Sequence, residues 1–284
     1  MKNVLPLLFI TLFISATQTH AQASGADTLV LTDITWGNDA HAGQAELNIP
    51  SGGSLLQGFI YKANGSGKHP TLLLLHGYPG NERNLDLAQV VRARGWNVIY
   101  FDYRGSWASQ GVFSFKHCVE DVVNTVTWCK KYSDSLGIDT NNIALFGHSM
   151  GGWVCLKALE QLPDVRKGFA LSTWNIGGDI TAAKGDMKTI EKEAGNYFVL
   201  NASIAEQFTP VIKNTAYYDL HNDAKALAQK QIIMLDEHNG NKPIADAIGL
   251  VNAAYFDYEV WQTDHPFTNK RVALIKKVLA FLSN

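Results

Sequence analysis

The segment Gly147-His148-Ser149-Met150-Gly151 places a serine between two glycines in the pattern G-x-S-x-G. A serine hydroxyl is a weak nucleophile until a neighbouring base takes its proton. The flanks raise the pattern above chance. Asn142 to Phe146 reads as a strand and Gly152 to Leu162 as a helix, so the serine sits on a strand-to-helix turn. The glycines allow two stretches of backbone to approach closely. Ser149 then projects at the carboxyl end of a strand, near the positive end of a helix. The candidate base is His265, in Asp264-His265-Pro266-Phe267. His221, His238 and His265 all follow Ser149, but only His265 also follows the last expected strand. An imidazole there can accept the serine proton and return it to a leaving group. Asp264 is its chain neighbour. Adjacent side chains diverge, so Asp264 is expected to cap the loop.

A tetrahedral intermediate needs donors for its oxyanion. His76-Gly77-Tyr78-Pro79-Gly80 directly follows the apolar run Thr71 to Leu75. Pro79 has no N–H, so Tyr78 is the expected donor, with the amide of Met150 as the second. His76 is expected to hold the turn rather than act as a base. The acid partner of His265 is open. It is expected after the strand Ile232 to Leu235, where the chain reads Asp236-Glu237-His238-Asn239-Gly240-Asn241-Lys242-Pro243. Counting from the strand end favours Asp236, with Glu237 as the alternative. Alignment on Pro243 falls on Asn239, which carries no charge. Asp179 is the outside candidate.

Together these segments and Phe101-Asp102-Tyr103-Arg104-Gly105 resemble the α/β-hydrolase superfamily, over roughly residue 47 to the C-terminus. Residues 69–159 resemble its serine aminopeptidase-like and esterase-like branch with small lids. The resemblance implies a Ser–acid–His triad and no cofactor. It says little about substrate, because one superfold hosts many activities.

The elements that must carry these residues are legible as alternation. Leu47 to Ile49 and Leu55 to Lys62 read as antiparallel strands around Ser51-Gly52-Gly53. Short continuous apolar runs at Thr71 to Leu75, Asn97 to Phe101, Ile143 to Phe146, Gly168 to Leu171, Ile232 to Leu235 and Tyr255 to Val260 suit strands buried on both faces. Helical spacing appears at Leu85 to Arg94 after Asn84 as N-cap, Val119 to Lys131, Trp153 to Leu162 and Asn269 to Leu282. The expected fold is α/β: a mostly parallel sheet of about eight strands flanked by helices. The interval between Leu171 and Ile232 is too long for a structureless loop. A helical lid insertion over residues 175–215 is expected there, interrupted at Pro210. Trp174 is expected to line the substrate pocket and Trp153 to lie in the core. Trp107 is a further candidate for the pocket border. Arg104 is expected to fix its loop through an ion pair.

The N-terminus reads as an export signal. Lys2 precedes an apolar stretch from Val4 to Ile14, and Ala21-Gln22-Ala23 offers small residues for cleavage. The expected organisation is a signal over 1–23 and one hydrolase domain over 24–284, exported to a periplasm or beyond, with no stable membrane span after cleavage. The whole chain has 284 residues, 24 Lys+Arg, 26 Asp+Glu and 46% hydrophobic residues. That composition argues against disorder and against a nucleic-acid partner recognised through a basic surface. Three cysteines make no disulfide framework. Cys118 and Cys129 on one helix are roughly 16 Å apart, while a Cys118–Cys155 bridge stays open. There is no H-E-x-x-H, C-x-x-C, Walker A or dinucleotide fingerprint, so neither metal nor cofactor is implied. The expected function is a secreted serine hydrolase cleaving a small-molecule carboxylic ester. The alternative is an exopeptidase or dipeptidase acting on a short peptide, with Glu191, Glu193 or Glu206 available to bind an amino group. A catalytically inactive binding module is the third reading. Oligomeric state is not legible.

Overall fold

The computed structural model describes residues 42–283 together with Asp33 and Thr35. The expected export signal lies outside the described residues. An eight-stranded sheet runs in the order β1-β2-β4-β3-β5-β6-β7-β8. Its strands are β1 (Gly43–Ser51), β2 (Ser54–Lys62), β3 (His69–Leu75), β4 (Asn97–Phe101), β5 (Ile138–His148), β6 (Lys167–Leu171), β7 (Gln231–Asp236) and β8 (Phe256–Val260). β1 pairs antiparallel with β2, and β2 antiparallel with β4. All later pairings, from β4·β3 through β7·β8, are parallel. Parallel neighbours need crossovers, and helices on both faces bury the strands. Every residue of β4 is buried accordingly, as are Ile143 to His148 of β5.

The helices include α1 (Leu85–Ala93), α2 (Phe115–Lys131), α3 (Ser133–Leu136) and α4 (Met150–Gln161). Helix α4 packs on β5, β6 and α2, and Trp153 is fully buried at that contact. Its indole N–H donates to the Tyr218 carbonyl at 3.0 Å. Between β6 and β7 the chain forms α5 (Ile176–Ala182), α6 (Met187–Ala194), α7 (Ile204–Lys213) and α8 (Thr215–Tyr218). Pro210 lies inside α7 rather than breaking it. A capping box of Ser203 and Glu206 starts that helix and satisfies its first amides.

Two further expectations change. Asn84 is no side-chain cap for α1: it adopts a left-handed backbone (φ 55°), and its side-chain oxygen accepts from Arg271 at 3.0 Å. A helix that the strand pattern did not reveal, α9 (Lys242–Asn252), joins β7 to β8. It begins with Pro243 in its first turn and buries Ile244, Ala245 and Ile248. The last helix is α10 (Arg271–Ser283). All three cysteines are free and buried, and Cys118 and Cys155 form no bridge. Burial pushes their thiols up, Cys129 to about 12. No helix among the described residues is long and apolar enough to cross a membrane.

Candidate active site

The parallel strands end together on one edge of the sheet, and loops leaving that edge assemble the site. β5 ends at His148, α4 begins at Met150, and Ser149 between them has φ 60° and ψ −121°. A non-glycine residue seldom adopts such a backbone, and doing so costs about 1–3 kcal/mol. The surroundings hold it there. The Ser149 amide donates to Leu171 O at 2.8 Å, and its carbonyl accepts from Gly152 and Trp174. The flanking glycines make the turn possible. A Cβ on Gly147 would run into the Gly151 carbonyl, and one on Gly151 into the carbonyl of Leu75.

The loop after β3 lies against this turn, so close that a Cβ on Gly77 would stand 3.0 Å from Ser149 Cβ. The amides of Tyr78 and Met150 appear in none of the turn, loop and cap hydrogen bonds between backbone groups of the described residues. His76 has a supporting place. Its Nδ1 lies 2.8 Å from Gly77 O and its ring packs on Tyr103 at 4.4 Å. Burial lowers its pKa to about 4, so it is neutral in ordinary buffers.

The loop after β8 brings His265 to the same edge. Its Nδ1 lies 2.8 Å from Glu237 Oε1. Glu237 is the first residue beyond β7. Its second oxygen accepts from Ser172 Oγ at 2.5 Å. Burial alone would raise this carboxyl, but hydrogen bonds from His265 and Ser172 outweigh it and hold the pKa near 2. The expected partner, Asp236, does not reach the imidazole. It is fully buried at the end of β7 and accepts from the Thr173 amide and the Asn241 side chain, both at 3.1 Å. Burial pushes its pKa up to about 6. The physical reason is strand alternation: consecutive side chains at a strand end leave on opposite sides. Asn239 sits in a short turn beyond, and Asp179 instead accepts from the Trp174 indole at 2.7 Å.

His148, the residue before the serine, was not singled out from sequence. Its Nε2 lies 3.0 Å from the His265 carbonyl and so must carry the proton. The two rings are 4.8 Å apart. Burial, then the neighbouring His265, lower its pKa to about 4. Asp264 accepts from the Thr268 amide at 2.6 Å and caps the loop. Arg104 pairs with Asp121 and Glu120 away from Ser149 and fixes its own loop.

Two cavities meet at Ser149. One of about 340 Å³ is walled by Tyr78, Trp174, Tyr197 and Phe208, with Asp179 and Glu193 also on its surface. The other, about 490 Å³, contains His265, His221, His238, Asn175 and Asn241. A separate groove of about 540 Å³, lined by Arg83, Trp107 and Phe198, contains neither Ser149 nor His265. Ser149, on a strained turn, thus shares a cavity wall with an imidazole tethered to an ionised carboxylate.

Residues 52–232 match the model of the X-Pro dipeptidyl-peptidase family, S15. The chain belongs to that family. Its eight-stranded, mostly parallel sheet is that of an α/β-hydrolase fold. Among curated proteins it is 31% identical over 100 residues to lysophosphatidylserine lipase ABHD12 of Bos taurus, a match covering 34% of this chain and 24% of the lipase. The chain thus spans about a quarter of the length of that relative. Among solved structures it is similar to an esterase of Pyrobaculum calidifontis, with TM-score 0.66 and 15% identity over 90% of this chain and 88% of the esterase. An esterase of Pyrococcus furiosus gives TM-score 0.63 and 19% identity over 85% and 91%. At such identities the structures show the shared fold.

Proposed function

We propose that this chain is a serine hydrolase that cleaves carboxylic esters through an acyl-enzyme on Ser149. The observation that carries the reading is the contact of His265 with Glu237 on a cavity wall that also contains Ser149. Ser149 Oγ attacks the ester carbonyl while His265 Nε2 takes its proton. Glu237, ionised, holds Nδ1–H and stabilises the imidazolium. The amides of Tyr78 and Met150 receive the oxyanion. Collapse expels the alcohol, which collects the proton from His265. Water then repeats the sequence and frees the acid.

A fluorophosphonate should label the wild-type protein and leave Ser149→Ala unlabelled. A folded wild type that resists the probe would remove the enzymatic reading and favour a binding module. Export through residues 1–23 belongs to the same proposal. N-terminal sequencing of the protein from an extracytoplasmic fraction should start near Ser24, and an intact Met1 there would contradict it.

A second reading, cleavage of amides with a free amino group, is favoured by Asp179 and Glu193 on the aromatic cavity beside Ser149. The two other insertion glutamates serve less well. Glu206 is engaged by Ser203, and Glu191 is exposed outside this cavity wall. A panel of acyl esters beside aminoacyl and dipeptidyl amides separates the two. Faster turnover of amides, lost in Glu193→Gln, would select the second.

A further inference from the structure

We propose that the alcohol released by this enzyme is hydroxyl-rich, a glycerol-like or sugar-like polyol, and that His221 and His238 select it. The inference rests on the ester-hydrolase reading of Ser149. The first step assigns the two cavities. The general acid protonates the leaving oxygen, so the leaving group lies on the side of His265. His265 lines the 490 Å³ cavity and does not line the aromatic one. The alcohol therefore occupies the cavity of His221 and His238, and the acyl group lies against Tyr78, Trp174 and Phe208.

The second step concerns hydrogen-bond roles. His238 Nδ1 accepts from the Gly240 amide at 3.0 Å, so that nitrogen holds a lone pair and the ring proton must sit on Nε2. His221 Nδ1 lies 2.7 Å from Asp219 Oδ1, and a carboxylate oxygen accepts, so the proton of a neutral ring sits on Nδ1. Nε2 of His221 is then an acceptor. Among the described residues, no hydrogen bond engages either Nε2. With His221 neutral, the wall presents one donor and one acceptor. A hydroxyl group both donates and accepts, so a compound bearing several can satisfy both. A phosphate or carboxylate only accepts and meets one of them. Both rings are exposed and hydrated in the free enzyme; a polyol replaces that water with matched hydroxyls, whereas an alkyl alcohol displaces it without replacing its hydrogen bonds.

The test compares glyceryl monobutyrate with ethyl butyrate, which share the acyl group. Wild type is expected to prefer the glyceryl ester by roughly threefold to tenfold in kcat/KM. His238→Asn keeps an oxygen to accept from Gly240 and removes the outer donor. His221→Asn keeps an N–H for Asp219 and removes the outer acceptor. Each is expected to shrink the preference severalfold, mainly through KM for the glyceryl ester. Equal kcat/KM for both esters in wild type, or a preference that survives both substitutions, would overturn the proposal while leaving the esterase intact. A wild type that hydrolyses neither ester and resists the fluorophosphonate would instead overturn the reading on which it rests.

Discussion

Asp236 and Glu237 are chain neighbours whose carboxyl pKa values are shifted in opposite directions. Glu237 is stabilised as an anion by His265 and Ser172, with a pKa near 2. Asp236 is buried beside an amide and an asparagine, and its pKa rises to about 6. Glu237→Gln should lower kcat by about 10³–10⁴, because the imidazole loses its tautomer restraint and its counter-charge. Asp236→Asn should alter kcat by less than tenfold in steady-state assays. Its signature is in stability. A carboxyl raised from about 3.9 to about 6 weakens the fold as pH climbs through that window, by about 3 kcal/mol. Denaturant titrations should therefore show the Asn variant gaining on wild type by roughly that amount between pH 4 and pH 8. A constant difference across that range would show that Asp236 does not titrate there. Sequence reading reached both carboxylates but ranked them by distance from the strand end. The deciding quantity is the direction in which each side chain leaves β7, which depends on where the ladder stops.

At the level of elements, the elbow and the helical insertion respond differently to change. Gly151→Ala drives a methyl group into the backbone of β3, which cannot move without disturbing the sheet. Loss of soluble, cooperatively melting protein is expected, and a normal melting curve with full activity would refute the close approach. Ser203→Ala removes the capping box of α7 and should cost about 1 kcal/mol, a shift of roughly 2–4 °C in thermal melts. Interior strands were readable because double-sided burial compresses them into short apolar runs, as in Asn97 to Phe101, which matches β4 residue for residue; β8, expected to be buried on both faces, lies at the sheet edge and has no buried residue. Helix α9 was missed because its hydrophobic stripe is short and lies just beyond a polar turn. Pro210 misled for another reason. Within α7 its ring removes one backbone bond, and the burial of Gln207, Phe208 and Val211 holds the helix through it.

For the whole molecule, acid stability is set by buried titratable groups that pull in opposite directions. His76 and His148 are held neutral by burial, each with a pKa near 4 against about 6.5 unfolded. Below pH 6.5 the unfolded chain binds protons that the folded one refuses, so each histidine removes about 3 kcal/mol by pH 4. Asp236 works against them, because the folded protein holds its proton more tightly and recovers about 2–3 kcal/mol over the same range. Glu160, raised by burial and by Asp223 to about 7, opposes the histidines in the same sense as Asp236. The histidine contribution is therefore read from the difference between wild type and His148→Asn, which should narrow by about 3 kcal/mol from pH 7 to pH 4. Urea titrations across that interval measure it, and a pH-independent difference between the two proteins would contradict the neutral burial of that imidazole.

Sequence alone determined the order of parts: a serine on a glycine-flanked turn, a histidine after the last strand, and alternating strands and helices. These are legible because hydrophobic period and turn composition act over a few residues. Tertiary structure decided which carboxylate faces His265, that His148 and Ser172 brace the pair, and that Ser149 stands between an aromatic cavity and an imidazole-lined one. Those outcomes depend on contacts such as His265 with Glu237, 28 residues apart, and Ser172 with Glu237, 65 apart. Packing of the whole sheet sets such contacts, and no local pattern encodes them.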